Sequence, residues 1–198
     1  MKPLSTSNLY LALIHHPVSN KRGDTIASAL TTIDLHDIAR ASITFGVRGF
    51  FVVTPLEDQQ TLAHEVIAHW TKGVGGKLNP FRKQALELIR VVSSFDEAVA
   101  EIEEETGKPV VTVATSAAKS GDTVSPANFA RELGSESAHL LAFGTAWGLS
   151  EEFVKECGFV LDPIYGVNGY NHLSVRSAVS IMLDRVISSR ETASIAAS

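Results

Sequence analysis

The feature that most constrains the fold of this chain is the alternation of short apolar runs with amphipathic stretches. A nearly uninterrupted apolar run is typical of a strand that is buried on both faces, as in a parallel sheet. The runs are Leu9–Ile14, Gly49–Val53, Leu88–Val92, Val110–Ala114, Ala138–Phe143 and Phe159–Leu161. Helical patterns cover residues 32–45, 57–70, 95–105, 126–133, 150–156 and 172–188. This order predicts an α/β fold with a mostly parallel sheet and helices on both faces.

The composition narrows the class of protein. A chain of 198 residues is long enough for one well-buried domain and too short for two ordinary ones. We therefore expect a single domain over residues 1–190 and a frayed tail over 191–198. No run approaches the ~20 apolar residues of a membrane helix, and the single cysteine, Cys157, excludes an internal disulfide. These observations predict a cytoplasmic protein with no membrane segment.

Common patterns of metal and nucleophile chemistry are incomplete in this sequence. His64 and His69 stand five residues apart, whereas the zinc protease helix needs histidines four apart to share one face. Ser116, Ser150 and Ser174 lack the glycine-flanked turn of a hydrolase nucleophile. We therefore expect no metal site and no Ser-His-Asp mechanism.

The charge distribution limits where a polyanion can bind. The net charge is −5, and the first 100 residues hold 10 basic and 9 acidic side chains. Residues 66–86 contain basic and aromatic residues but no acidic one, and their glycines predict a mobile loop. The basic residues are Lys72, Lys77, Arg82 and Lys83. The segment is either a solvated loop or an RNA contact.

Three loops follow the predicted strands of the C-terminal part. They are residues 115–118, 144–149 and 162–172, and all are rich in small, uncharged side chains. The carboxyl ends of parallel strands meet at one edge of a sheet, which is where α/β proteins bind ligands. The loops therefore form either a ligand site or ordinary connections between strands and helices.

Three stretches of the sequence carry a family resemblance through their order and spacing. In DLHDIARASITFGVRGFFVVTP (34–55), a polar residue precedes an arginine by six positions, and a glycine and an apolar strand follow. The other two stretches are FGTAWGLSEE (143–152) and GYNHLSVRSAVSIMLDRV (169–186). Over residues 8–188 the chain resembles the SPOUT superfamily of S-adenosylmethionine (SAM)-dependent RNA methyltransferases. Asp34 stands where the ribose-methylating branch usually has Asn, and Asn171-His172 is similar to the tRNA guanine-N1 branch.

The resemblance implies a deep C-terminal trefoil knot and a SAM site built largely from backbone groups of the three loops. The residues that it places at the cofactor are Thr115, Ser116, Phe143, Gly144, Thr145, Gly148, Ile164, Gly169, Asn171, Leu173 and Ser174. Arg40 matches the family arginine and is the expected catalytic residue, with Asp34 and Asp122 as further candidates. Asp34 and Asp37 lie one helical turn apart and are expected to share a face with Arg40.

The function implied by the resemblance is methylation of tRNA or rRNA, at guanine N1 or at a ribose 2′-oxygen. The resemblance also implies a homodimer formed through the knot region, with the last helix as a candidate interface; Val175, Val179 and Met182 form either that interface or core. Two alternatives remain open at this point. One is a catalytically inactive knotted protein that binds cofactor or RNA, and the other is an unknotted nucleotide-binding α/β domain.

Overall fold

A computed structural model describes residues 8–118, 121–134, 136–168 and 170–196, the last six by their backbone only. The strands are β1 (Leu9–Ile14), β2 (Val18–Ser19), β3 (Thr25–Ile26), β4 (Gly49–Val53), β5 (Ile89–Val92), β6 (Val110–Thr115), β7 (Ala138–Gly144) and β8 (Phe159–Leu161). The helices are α1 (Thr32–Thr44), α2 (Glu57–Thr71), α3 (Val74–Leu78), α4 (Pro80–Leu86), α5 (Phe95–Thr106), α6 (Pro126–Glu132), α7 (Glu151–Glu156) and α8 (Val175–Ala196).

The main sheet is parallel throughout its described strands, in the order β5-β4-β1-β7-β6-β8. Leu13 in the central strand faces Val52 of β4 on one side and Phe143 of β7 on the other. The chain builds outward from β1 in one direction through β4 and β5, and later fills the other side with β7, β6 and β8. This change of direction creates a crevice at the carboxyl ends of the central strands.

Helices cover both faces of the sheet, as the apolar runs predicted. Successive side chains of a strand point to opposite faces. Leu9, Leu11 and Leu13 therefore pack with α1, α4, α6 and α8, whereas Tyr10 and Ala12 pack with α5 and α7. All six residues of β1 are buried, which explains why this strand has no polar position.

The last helix contributes to the core on one of these faces. Val179 and Met182 of α8 are buried against the apolar cluster that includes α1 and α6. These two residues are thus core rather than an exposed interface, while Val175 is half-buried beside the cavity described below. The backbone of α8 is helical through Ala196. No described helix is long and apolar enough to span a membrane.

The expectation of a mobile loop over residues 66–86 is wrong, because the end of α2 and the helices α3 and α4 occupy this segment. Its glycines serve close packing. A Cβ on Gly76 would lie 2.2 Å from the carbonyl oxygen of Trp70, so only glycine allows α3 to approach α2 this closely. Asn79 then caps α4 by accepting a hydrogen bond from the Arg82 amide, and Pro80 occupies the first turn.

Candidate functional site

One cavity lies at the edge of the sheet where β6, β7 and β8 end, beside the start of α8. Its volume is about 680 Å³, which lies within the range of roughly 300–1,000 Å³ found for small-molecule sites. Ten of the residues expected at the cofactor line it, namely Thr115, Ser116, Phe143, Gly144, Thr145, Gly148, Ile164, Asn171, Leu173 and Ser174. Gly169, the eleventh, lies outside the described residues. The parallel sheet brings these residues together because it gathers the ends of its strands at one edge.

The loop between β7 and α7 forms one wall of the cavity and has a fixed backbone. The Thr145 hydroxyl donates a hydrogen bond to the carbonyl of Ile14 at 2.9 Å, which ties the loop to the end of β1. A Cβ on Gly144 would lie 2.4 Å from the Leu149 nitrogen. Gly148 has φ +101°, a conformation that favours glycine. The glycines of this motif therefore let the loop fold tightly back on the strand end.

The other two loops meet across the cavity. The Thr115 hydroxyl donates to the Ala142 carbonyl at 2.9 Å, joining the ends of β6 and β7. The side-chain amide of Asn171 donates to the carbonyl of Ala117. The segment that follows β8 is thus held against the segment that follows β6, and both contribute residues to the cavity wall.

In the described lining of this cavity, Asp34 is the only residue of the types Asp, Glu, Lys and Arg. Its side chain is only 10% exposed. The Arg176 guanidinium donates to Asp34 Oδ1 over 2.9 Å, and its Nε lies 3.6 Å from Asp37 Oδ2. A carboxylate buried to this extent needs such a partner. The ion pair therefore fixes α1 to α8 and orients Asp34 towards the cavity.

His15 adds a neutral group close to this carboxylate. Its side chain is fully buried at the carboxyl end of β1. Burial lowers the pKa of His15 to about 4, and the charge of Asp34 opposes this shift. The imidazole is consequently uncharged near neutral pH and does not cancel the charge of Asp34.

Arg40 lies in a different place from the cavity. It is exposed and lines a groove of about 620 Å³ between α1 and α8, together with Asp37. A separation of six residues turns a helix by about 240°, so Arg40 and Asp34 point away from each other on α1. Arg176 borders the groove and contacts both acidic residues. The expected common face thus exists for Asp37 and Arg40 but does not include Asp34.

Asp122 is exposed between β6 and α6 and is not among the residues that line the cavity. The structure therefore does not bring it together with Asp34. In the basic segment, Arg82 packs over the ring of Trp70 at 4.6 Å, and Lys83 lies 3.7 Å from a carboxylate oxygen of Glu87. Lys72 and Lys77 are exposed. No described group of three or more His, Cys, Asp or Glu residues is arranged to hold a metal ion.

Sequence reasoning missed part of the cavity wall. Ser28, Ala29 and Thr31 line it from the connection between β3 and α1. The hydroxyls of Ser28 and Thr145 share a hydrogen bond, so this connection is attached to the β7–α7 loop. The β2–β3 ribbon that brings it there pairs only two residues in each strand. Such a short ribbon leaves no alternating pattern to detect in the sequence.

Comparison with known proteins places this geometry in a family. The sequence profile described as SAM-dependent RNA methyltransferase matches residues 8–188. The "tRNA (guanine-N(1)-)-methyltransferase" of Oleidesulfovibrio alaskensis is 46% identical over 180 residues, which cover 91% of this chain and 42% of that protein. An uncharacterised protein of Aquifex aeolicus is 35% identical over 182 residues, which cover 91% of this chain and 89% of that protein. The chain thus spans less than half the length of the relative that has a named activity.

A solved structure shows the same fold. The SpoU methyltransferase AviRb of Streptomyces viridochromogenes matches with a TM-score of 0.60 at 18% identity, over 96% of this chain and 63% of that one. A second AviRb structure, in complex with the cofactor AdoMet, matches with a TM-score of 0.55. At this identity the likeness shows the fold alone, which is the SPOUT fold. The match of the sequence profile over residues 8–188 establishes that this chain belongs to the family of SAM-dependent RNA methyltransferases.

Proposed function

We propose that the chain binds SAM in the cavity at the ends of β6, β7 and β8 and transfers its methyl group to tRNA or rRNA. The observation that carries this proposal is the cavity itself, which collects all the described residues that the family resemblance assigns to the cofactor. Its volume suits a ligand of this size. A site of backbone groups and small side chains, with one carboxylate, is also compatible with a ligand that carries a cationic sulfonium.

SAM supplies an electrophilic methyl group, which leaves its sulfur as a new bond forms to a nitrogen or oxygen of the RNA. The acceptor must also lose a proton. We assign Asp34 as the group that accepts this proton, because its carboxylate lines the cavity. Arg176 keeps that carboxylate in position through the 2.9 Å hydrogen bond. The tight turn at Gly144 and Gly148 lets backbone groups approach the cofactor.

Arg40 and the groove between α1 and α8 belong to a second part of the proposal, a homodimer. In the chain by itself, Arg40 does not reach the cavity. A second copy seated in the groove of about 620 Å³ would bring the arginine of one protomer near a site of the other. Analytical ultracentrifugation tests this, since the proposal requires a dimer that Arg40→Glu weakens. A monomer at all concentrations contradicts it.

We further propose that the chain after β8 threads the trefoil knot of the SPOUT superfamily, within a single domain over residues 1–190. The hydrogen bond between Asn171 and Ala117 supports this, because it holds the segment after β8 against the loop after β6. An RNA substrate also implies that the protein acts in the cytoplasm. A crystal structure with SAM bound tests the threading, and a chain that passes beside the loop instead of through it refutes it.

Contacts to the RNA backbone are assigned to the basic segment, with Lys72 and Lys77 as its accessible charges. Arg82 and Lys83 are engaged by Trp70 and Glu87, so they contribute less. Reversing Lys72 and Lys77 to Glu should weaken RNA binding and reduce its salt dependence by about one to two ion equivalents. Binding with an unchanged salt slope would remove this segment from the proposal.

The decisive experiment has two stages. Titration calorimetry with SAM tests the cofactor site, and incubation with radiolabelled SAM and bulk tRNA or rRNA tests methyl transfer. Heat and transfer support the proposal; heat without transfer indicates a catalytically inactive binding protein. No heat at millimolar SAM would refute the proposed cofactor site. Mass spectrometry of the nucleosides then distinguishes guanine N1 from ribose 2′-oxygen as the acceptor.

The variant Asp34→Asn separates binding from chemistry. We expect it to retain SAM binding and to lose methyl transfer at least 100-fold, which is within the ~10²–10⁴-fold typical of a lost general base. Asp58→Asn is the matched control, because Asp58 is an exposed aspartate of α2 that lies outside both the cavity and the groove. Equal transfer by the two variants would show that Asp34 does not act as the base.

A further inference from the structure

Trp147 projects from the wall of the cavity into solvent. It lines the mouth of the cavity and is 63% exposed. An indole can bury some 150–250 Å² of surface, so leaving it in water forgoes a large stabilisation. The chain has one other tryptophan, Trp70, which packs edge-on against His36 and His69. Packing within the chain explains Trp70 but does not explain Trp147.

The backbone holds Trp147 in this exposed place. Its amide donates to the carbonyl of Ser19 at 3.2 Å, and the Ser19 amide donates to the carbonyl of Gly148 at 2.9 Å. The Gly148 amide closes the turn by donating to the Thr145 carbonyl at 2.9 Å. Ala146, directly before the tryptophan, adopts φ +51°, which costs a non-glycine residue about 1 kcal/mol. The loop therefore adopts an unfavourable backbone conformation at Ala146 and fixes the main chain of Trp147 beside the cavity.

Other exposed aromatic side chains lie on a loop that contributes to the cavity wall. Tyr165 and Tyr170 are exposed and are the chain neighbours of Ile164 and Asn171, which line it. The described part of the chain has four large exposed aromatic side chains. Three of them, Trp147, Tyr165 and Tyr170, lie on the loops that form the cavity, and these loops are here called its rim. Tyr170 also packs edge-on against His172, with ring centroids 5.5 Å apart. The rim offers flat π surfaces where most of the lining is small and uncharged.

We propose that Trp147 is a platform on which a nucleobase of unpaired RNA stacks as the RNA enters the cavity. This inference rests on the proposed function, since it names the substrate class of the same site. Every base has a π face, and stacking on aromatic side chains is the usual way in which proteins hold unpaired bases. A base within a duplex has both faces covered and cannot stack on the indole. The platform therefore selects single-stranded, looped or flipped-out nucleotides.

The position of the rim favours RNA over a second copy of this chain. A methyl acceptor has to reach the cavity through its mouth, and a protein seated across Trp147 would close that path. The groove between α1 and α8 is a separate surface, lined by Arg40 and Asp37, that leaves the mouth open. The adenine of SAM is the other possible source of a nucleobase, because Trp147 lines the same cavity. The experiment below separates these two sources.

The first measurement uses Trp147 as its own reporter. In Trp70→Phe protein, Trp147 is the sole indole, and its fluorescence is titrated with an unpaired oligoribonucleotide, with a hairpin duplex of the same base composition, and with SAM alone. We expect the unpaired RNA to quench the emission at concentrations at least 10-fold below those needed for the duplex. Quenching by SAM alone with none by RNA overturns the proposal in favour of the cofactor.

The second measurement compares variants at position 147. Trp147→Ala should raise the Kd for unpaired RNA about 10-fold, which corresponds to the loss of one base–aromatic stack. Trp147→Phe should stay within about threefold of the parent, because a smaller ring still stacks. The Kd for SAM should be the same in all three proteins, which also shows that the alanine variant is folded.

The outcomes distinguish this inference from the proposed function. If Trp147→Ala binds unpaired RNA within twofold of the parent while methyl transfer persists, the platform is refuted and the methyltransferase stands. If Trp147→Ala instead changes a dimer to a monomer in ultracentrifugation, the rim is a protein interface and the platform is again refuted. If the parent quenches with RNA but transfers no methyl group, the platform stands and the catalytic proposal fails.

Discussion

The ion pair between Asp34 and Arg176 makes a quantitative prediction about stability. It links α1 to α8, and its two residues are separated by 142 positions along the chain. Arg176→Gln would leave the Asp34 carboxylate, whose side chain is 10% exposed, without its charged partner. Exposed pairs contribute about 0–1 kcal/mol, whereas removing one partner of a fully buried pair costs about 3–5 kcal/mol.

The pair lies between these limits, because the Arg176 side chain is 36% exposed. We expect Arg176→Gln to lower the free energy of unfolding by about 2 kcal/mol, and the melting temperature by about 4–8 °C for a chain of this size. Asp34→Asn should cost less, about 1 kcal/mol, since Arg176 can turn to water and retains Asp37 at 3.6 Å. The double variant should lose about 1 kcal/mol less than the sum of the two single losses.

Urea unfolding of the four proteins measures this double-mutant cycle. Lys155→Gln is the matched control, because its i,i+4 pair with Glu151 is exposed, and it should change stability by no more than about 0.5 kcal/mol. Strict additivity of the two single losses would refute the reasoning, since it would mean that the 2.9 Å contact carries no coupling. A loss in Arg176→Gln as small as in the control would refute it equally.

Three further predictions concern single groups. Gly144→Ala should weaken SAM binding at least 10-fold by calorimetry, because the new Cβ would lie 2.4 Å from the Leu149 nitrogen. The control is Gly134→Ala, whose Cβ would lie 3.7 Å from its nearest neighbour. Equal SAM binding by the two variants would contradict the prediction. Burial lowers the pKa of His15 to about 4, so as the pH falls this histidine is protonated in the unfolded chain before it is protonated in the folded chain. This difference should lower the free energy of unfolding by about 2.5 kcal/mol between pH 7.5 and pH 4.5. In urea unfolding, the stability of His15→Leu should fall less over this pH range, because the His15 contribution is absent. The same pH dependence in the variant and the parent would refute the prediction. Burial raises the pKa of Cys157 to about 11, so at pH 8 a thiol reagent should react about 100-fold more slowly than with a free cysteine; a rate near that of the free thiol would refute this.

The central strands β1, β4 and β7 could be predicted from the sequence because both of their faces are buried. Leu9–Ile14, Gly49–Val53 and Phe159–Leu161 have the bounds that the apolar runs predicted. A strand buried on both sides carries its signal in every residue, and the edge strand β8, although only Leu161 is fully buried, is apolar at all three positions. The residues at the cofactor cavity could be predicted for a related reason, since they follow directly from where those strands end.

The parts that sequence reasoning missed depend on contacts between distant residues. α3 and α4 have five and seven residues, too few to show a helical period, and their glycines are typical of a loop unless the Trp70 backbone is known to lie against Gly76. The six-residue spacing on α1 separates Asp34 from Arg40, and the packing of α8 decides which of the two lines the cavity. No pattern within the first motif reveals which face of the helix the last helix will cover.

Asp34 shows how such a contact changes the interpretation of a motif. Asp in place of the Asn usual in the ribose-methylating branch introduces a charge at a nearly buried position, and by itself this substitution looks like a damaged site. The structure supplies the compensating charge from Arg176, in the third motif and 142 residues away. The two residues must therefore be interpreted as a unit. Asn at position 34 would not by itself recreate the ribose-methylating motif, because it would leave Arg176 with Asp37, at 3.6 Å, as its remaining acidic partner.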